Sequence, residues 1–336
     1  MIDLAAEYVT PADPVAIEAV ARVAAEAHHG YGADPVTERV RARLRELVGE
    51  CDVQLVTNGS AANVVALAAA VRPYDSIICT EYAHIAVDEA GDVERFTGAK
   101  LLPIVVAPGR LTPDHVAAAV EFDNRPHRSR PRVVSITNAT ERGDVYSAGE
   151  VQAIAEVAHA HDVFLHMDGA RLANAAAALD VDVRALTRDA GVDVLTFGFT
   201  KNGGLFGDAV VSFVPGLFDD ADYVVKQAMQ LVSRGALLAA SIDALLEGDR
   251  WLANARHANR MARRLADSVR DVVHLAGEPK INQVFARFDP AVVPKLLEAA
   301  YFYEWPGEPG LVRWVTSHAT TEAEVDSFAS MVRSLA

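Results

Sequence analysis

Short apolar runs rich in β-branched residues recur along the chain, at Val53 to Val56, Ser76 to Cys79, Leu102 to Val106, Val133 to Thr137, Val163 to His166, Val192 to Phe197 and Ala209 to Val214. A strand with one wet face alternates apolar and polar side chains. These runs are nearly continuous instead, so they read as strands covered on both faces, hence a largely parallel sheet. Val151 to Ala160 and Asp182 to Asp189 carry helical apolar spacing. Strands alternating with helices predict an α/β fold with right-handed crossovers and a mostly parallel sheet of about seven strands. Near the start, Asp13-Pro14 reads as an N-cap with proline in the first helical position, and Ile17, Val20, Ala21 and Ala24 form an apolar stripe behind it. Past Val214 the texture changes to long helices, roughly Tyr223 to Leu246 and Trp251 to Val269, followed by an α+β tail from Val272. The expected organisation is an N-terminal arm over 1–14, a large α/β domain over 15–246 and a small C-terminal α+β domain over 247–336. No linker separates them, so they should pack as one unit.

Composition narrows the function. Of 336 residues, 51% are hydrophobic and 23% charged, which suits a sizeable core and excludes disorder as the main theme. The longest weakly polar run, Ala61 to Val71, is interrupted by Asn63 and falls short of the ~20 residues a membrane span needs. No membrane segment is expected. Thirty-one basic against 46 acidic residues give a formal charge of −15, which disfavours nucleic acid as a partner. Cys51 and Cys79 make neither a disulfide framework nor a cysteine-type zinc site. With no signal-like N-terminus, the cytoplasm is the expected location. His28, His29, His159 and His161 read as solvated helix ends, and no catalytic metal is expected.

In an open parallel sheet, ligands bind beyond the carboxyl ends of the strands. After the first run comes Thr57-Asn58-Gly59-Ser60 opening a helix, whose free amides and dipole suit a phosphate, although the same residues also read as a plain helix cap. No Walker loop or dinucleotide fingerprint is present. After the fifth run comes Asp168-Gly169-Ala170-Arg171, a carboxylate at the mouth of a buried strand that is costly unless it faces a cation or a wet cleft. A structural Asp–Arg pair is the alternative. After the sixth run comes Thr200-Lys201-Asn202-Gly203-Gly204. A lysine held at the binding edge is desolvated, which lowers its pKa toward that of an amine nucleophile. His84, in the loop after the second run, is placed to stack on a ring or move a proton, or else is a surface histidine. Phosphate site, carboxylate and lysine together suggest one ligand with a phosphate, a basic ring nitrogen and a carbonyl. Pyridoxal 5′-phosphate has those three handles.

The segments His166-Met-Asp-Gly-Ala-Arg171-Leu-Ala-Asn174, Thr200-Lys201-Asn202-Gly203, Tyr31-Gly-Ala-Asp34-Pro35-Val-Thr37 and Val312-Arg313-Trp-Val-Thr316 resemble the low-specificity L-threonine aldolases. Those are fold-type I, pyridoxal-phosphate-dependent members of the β-eliminating lyase group. The resemblance implies cleavage of the Cα–Cβ bond of a β-hydroxy-α-amino acid to glycine and an aldehyde. It implies that Lys201 bonds the cofactor's aldehyde, Asp168 pairs with its ring nitrogen and His84 stacks on the ring, with His84 or a water it orients as base. Asn58, Gly59 and Ser60 would cradle the phosphate, with Arg234 beside it. Arg171 would touch both cofactor and substrate, Arg313 would share the substrate carboxylate, and Tyr31 would line the pocket. The resemblance also implies a homodimer or homotetramer with active sites completed at the interface.

Three segments depart from the family pattern. Ala6-Glu7-Tyr8 stands where the family carries Ser-Asp and then Asn or Thr, so a hydroxyl on the substrate carboxylate is missing unless Tyr8 replaces it. Ala236 stands for a family arginine, and Gly204-Leu205-Phe206-Gly207 differs after the lysine. These departures keep two other readings open: another pyridoxal-phosphate reaction, such as β-elimination or glycine-transfer condensation, or a silent cofactor-binding homologue.

Overall fold

A computed structural model describes residues 2–121 and 126–335; Met1 of the expected arm and Ala336 of the expected C-terminal unit lie outside that range. The chain opens with β1 (Ile2–Asp3), and all seven apolar runs then become strands of one sheet. These are β2 (Asp52–Val56), β3 (Asp75–Thr80), β4 (Lys100–Ile104), β5 (Arg130–Thr137), β6 (Phe164–Gly169), β7 (Val194–Phe197) and β8 (Asp208–Ser212). Their order is β2-β8-β7-β6-β5-β3-β4. Only β8 runs against its neighbours, β2 and β7; the other pairings are parallel. The carboxyl ends of β2, β3, β5, β6 and β7 therefore share one edge with the start of β8.

The continuous apolar runs are explained by two separate cores. Ile77, Val194 and Val210 pack on one face with helix Gly59–Ala70, while Ile78, Leu195 and Val211 pack on the other with helices Pro35–Val48, Ala148–Ala160 and Gly235–Leu246. Each successive side chain thus leaves water on one side or the other.

Asp13 caps helix Pro14–Ala24, accepting from the amide of Val15. The stripe on that helix is shifted from the expected one: Ala16 and Ala19 are buried and Val20 and Val23 pack against the core, whereas Ile17 is 46% exposed. The expected long helix from Tyr223 is two helices, Ala221–Gln227 and Gly235–Leu246, with Met229 at φ 62° between them. The segment predicted as one helix over Asp182 to Asp189 is a short helix, Val183–Leu186, followed by a 3-10 turn. Its apolar spacing was too brief to sustain more turns.

Beyond helix Arg250–Val269 lie β9 (His274–Leu275), β10 (Gln283–Arg287), β11 (Ala300–Tyr301), β12 (Tyr303–Glu304) and β13 (Leu311–Val315). A four-stranded sheet, β12-β13-β10-β9, covers a third core around Trp314, Phe302 and Phe328. We propose a boundary near residue 246, where helix Gly235–Leu246 ends and Gly248 and Asp249 take positive φ. The next helix joins the two parts, with Trp251 and Ala255 in the sheet core and Met261 to Val269 in the third. The first residues tie the molecule together again. β1 pairs with β11, Leu4 enters the third core, and the amide of Asp13 donates to the carbonyl of Gly203 at 2.8 Å.

Candidate functional site

Lys201 sits on the tight turn Thr200–Asn202 beyond β7. Asp208, at the head of β8, accepts the amides of Phe199 and Thr200 at 2.6 and 3.0 Å and fixes the turn from below. From behind, Asn202 donates to the carbonyl of Trp251 at 2.6 Å, and Asn254 donates to the carbonyl of Asn202 and to Asp13. Gly203 is required here: its φ is +95°, and a Cβ would lie 2.9 Å from Nδ2 of Asn254. The lysine is thus aimed by backbone rather than left to sample solvent. Its residue keeps some open surface, but protein encloses the amine, and burial and the charge of Arg171 together push its pKa down. Lowering favours the free amine, the form that attacks a carbonyl.

Asp168 lies at the end of β6, 5% exposed. Its Oδ2 accepts from Nδ2 of Asn63 at 3.0 Å and its Oδ1 from the amide of Ala170 at 2.9 Å. Burial would raise its pKa, but those hydrogen bonds and the nearby Lys201 hold it below the usual carboxylate value. It stays an anion in an enclosed site.

Asn63 carries the network further. The same Nδ2 donates to Oε1 of Glu89 at 2.9 Å, and Glu89 contacts Nδ1 of His84 at 2.6 Å. The hydroxyl of Thr196 donates to the side-chain Oδ1 of Asn63 at 2.9 Å, and His166 lies below, between Thr196 and Ser135. Burial drives His166 down to about 4, so it is neutral. His84 is shifted the other way, upward, chiefly by its hydrogen bond to Glu89. These shared hydrogen bonds hold the network in one geometry, with Oε2 of Glu89 the buried oxygen of this group that lacks a partner among the described residues.

A second cluster joins the N-terminal arm to the C-terminal sheet. Oε1 of Glu7 accepts from Nε of Arg171 at 2.5 Å and from Asn282 at 2.8 Å, while Oε2 accepts from Nη2 of Arg171 at 3.0 Å. Burial alone would raise the Glu7 carboxyl; Arg171, with help from Lys201 and Asn282, holds it at about 2. Two nitrogens of Arg171, Nε and Nη2, are thus engaged by Glu7. Arg313, on β13, differs. Its guanidinium lies 5.7 Å from the Trp305 ring and its buried Nε has no hydrogen-bond partner. Burial and the charge of Arg171 push its pKa down. Among the described residues no carboxylate is paired with this half-buried guanidinium, and a desolvated cation is costly until an anion meets it.

At the phosphate-like turn, Oδ1 of Asn58 accepts the amide of Ala61 at 2.9 Å, so its side chain caps helix Gly59–Ala70. The plain helix-cap reading is thus seen, and among the described residues no hydrogen bond engages the amides of Gly59 and Ser60. A Cβ on Gly59 would lie 3.8 Å from Asp208, which places this turn beside the lysine turn.

Three expected residues stand apart. Tyr8, although it follows Glu7 and influences Arg313 electrostatically, is 59% exposed. Tyr31 is also 59% exposed, at φ 61°, and Arg234 is exposed at the start of helix Gly235–Leu246. Tyr31 and Arg234 form one patch, since the amide of Tyr31 donates to the carbonyl of Ser233 at 3.2 Å. Among the described residues, no hydrogen bond links that patch to Lys201 or Asp168. Ala236, at the position of the family arginine, is buried, 3% exposed.

Sequence reasoning missed Glu7 as a partner, and missed Asn63, Glu89, Thr196, Glu141 and Asp208 altogether. Asn63 and Glu89 left a faint signal, polar residues inside otherwise apolar or helical stretches. Glu141, in the turn after β5, accepts from the hydroxyl of Thr137 at 2.7 Å and from the amide of His84 at 3.1 Å.

Comparison with known proteins agrees with this geometry. Residues 3–290 match the family model described as beta-eliminating lyase. The chain is 41% identical over 318 residues to the low specificity L-threonine aldolase of Pseudomonas aeruginosa, covering 92% of each chain. It is 39% identical over 319 residues to the enzyme of the same name from a Pseudomonas species, again covering 92% of each. Among solved structures, the threonine aldolase of Leishmania major superposes with a TM-score of 0.94 at 28% identity, covering 100% of both chains. The fold is that of the fold-type I pyridoxal-phosphate enzymes, and the chain belongs to the beta-eliminating lyase family.

Proposed function

We propose that the protein is a pyridoxal-phosphate-dependent aldehyde-lyase that cleaves the Cα–Cβ bond of a β-hydroxy-α-amino acid, giving glycine and an aldehyde. The observation that carries this reading is the pairing, at one edge of the sheet, of an enclosed lysine with depressed pKa and an enclosed aspartate kept ionised. That donor set fits the cofactor: an amine for its aldehyde, an anion for its ring nitrogen, and open helix amides for its phosphate. When bound, pyridoxal phosphate supplies an aldehyde for covalent capture and a ring that takes up an electron pair released at Cα.

The chain's own residues do the rest. Lys201 fixes the ligand at one end and Gly59 and Ser60 at the other. Asp168, steadied by Asn63, keeps the ring nitrogen protonated. His84 covers the ring face, its angle set by Glu89. Arg313 takes the substrate carboxylate, with Arg171 braced behind it by Glu7. By holding the substrate carboxylate at a fixed distance from Lys201 and Asp168, these residues would fix which bond at Cα is presented for cleavage. Because Glu7 occupies Arg171 and position 6 is alanine, carboxylate binding rests on Arg313 more heavily than the family pattern implies.

Tyr8, Tyr31 and Arg234 have solvent-facing positions that support a homodimer or homotetramer, in which the Tyr31–Arg234 patch of one copy completes the site of another. Two free thiols, Cys51 and Cys79, support a reducing compartment such as the cytoplasm. The function is tested by incubating the loaded protein with L-threonine, L-allo-threonine and phenylserine. Equal amounts of glycine and aldehyde are expected from at least one. Ammonia with a keto acid in their place would show elimination, and no product from any would refute the reading.

A further inference from the structure

Cleaving a β-hydroxy amino acid requires a base for the β-hydroxyl proton, and the site holds a carboxylate the reading above leaves unused. Glu141 projects from the turn between β5 and helix Ala148–Ala160, at the same sheet edge as Lys201. Its Oε1 is anchored twice, by the hydroxyl of Thr137 at 2.7 Å and the amide of His84 at 3.1 Å. Among the described residues, Oε2 takes no hydrogen bond from another residue, nor is it one of the buried oxygens lacking a partner. The amide of Glu141 itself also steadies the carboxylate, which stands at the sheet edge in the field of Asp168 and Arg171 and on the amide of His84. The turn is stiff: Asn138 donates to the carbonyl of Tyr146 at 3.1 Å, its amide donates to the carbonyl of Asp168 at 2.9 Å, and Thr140 and Asp144 close the loop at 2.8 Å. Glu141 is thus tied to the strand end that carries Asp168.

His84 is the competing base, but its Nδ1 is committed to Glu89 at 2.6 Å, and that contact favours the charged imidazolium. The ring's place is set by Glu89, whereas Glu141 is set by Thr137 and the His84 backbone. Glu141 is bound in the opposite sense: burial raises its pKa while Thr137 and the His84 amide restrain the rise. The charged and titratable groups facing it are Asp168 and Arg171 from the end of β6, His84 and Cys79 from the β3 side, and Tyr146 beyond the turn. A carboxylate made more basic than in water and held by two hydrogen bonds suits this task.

We propose that Glu141 is the catalytic base that takes the β-hydroxyl proton. This rests on the lyase reading. As the proton moves to Oε2, the O–H electron pair becomes the second bond of the aldehyde carbonyl, the Cα–Cβ bond breaks, and its pair stays with the glycine carbon. That carbon then takes a proton from solvent, completing glycine, and Glu141 returns its own proton to solvent, so protons balance.

The test is Glu141→Gln, whose amide oxygen can still accept from Thr137 and His84. Expected are cofactor and glycine affinities within threefold of the unaltered protein, by fluorescence titration and calorimetry, with cleavage slowed about 10²–10⁴-fold. The acidic limb of the kcat/KM profile should vanish. In Glu141→Ala, added formate or acetate should restore part of the rate, which a merely structural role would not allow. If the Gln variant fails to bind cofactor, Glu141→Asp decides: a slowed rate with the acidic limb retained supports the role. Cleavage by Glu141→Gln within threefold, or no carboxylate rescue, overturns it. An unaltered protein that cleaves no β-hydroxy amino acid refutes the lyase reading instead.

Discussion

The floor and the rim of the site are built differently. Along the floor, Asp168, Asn63, Glu89, Thr196 and His166 are buried and each is hydrogen-bonded to another. Along the rim, Tyr8 and Tyr31 are each 59% exposed, and Arg234 caps a helix in solvent. A single chain therefore fixes the floor by its own hydrogen bonds and leaves these rim side chains to solvent. Polar groups on the floor cannot be left unpaired without a desolvation cost, so folding alone fixes them. Rim residues bear no such constraint, and a second copy is what would position them.

Substitutions sharpen that contrast, beginning with the largest effect. Glu7→Gln leaves Arg171 buried without its counter-charge and is expected to cost about 3–5 kcal/mol in chemical denaturation. The same pair makes a pH prediction. The folded-state pKa of Glu7, about 2, lies below its ordinary 4.5, so its contribution is fully present above pH 4.5 and lost as pH falls toward 2. That loss amounts to about 3 kcal/mol. An acid-unfolding curve of Glu7→Gln should lack this component; an unchanged curve would mean the ion pair does not persist in solution.

Asp168→Asn removes the anion facing the ring nitrogen while sparing most of the packing. Turnover should fall about 10²–10³-fold, with a loss of about 1–3 kcal/mol in stability because an amide can accept from only one of the two donors, Asn63 and the Ala170 amide. A variant of full activity would dissolve the distinction between floor and rim. Asn63→Ala strands Glu89 and Asp168 of one donor, for about 1–3 kcal/mol of stability and a weaker hold on the cofactor. Tyr31→Phe, at the other extreme, should change stability by less than about 0.5 kcal/mol while raising KM. Sedimentation of the same sample checks the rim account, since a fully active monomer would contradict it.

The sequence was most legible where burial is two-sided. All seven strands were marked by runs such as Val192 to Phe197, because a strand covered on both faces tolerates few polar side chains. Lys201, Asp168 and His84 were legible because each follows such a run. Other features were not local. Glu7 pairs with a residue 164 positions away and Asn63 with one 105 away, and no spacing rule joins them. Ile17 misled because its helix packs its small residues inward, Ala16 and Ala19, against helix Gly235–Leu246. The break at Met229 was hidden because its neighbours are good helix formers and no proline marks it.

The central claim is that Lys201 captures pyridoxal phosphate covalently with Asp168 across from it. It is tested most directly by the near-visible absorption spectrum of the protein titrated with pyridoxal phosphate, alongside Lys201→Ala. The account predicts a saturable band, shifted from that of free cofactor, that borohydride fixes to the protein at residue 201 and that never forms in the variant. An identical band in Lys201→Ala, or fixation at another lysine, would contradict it.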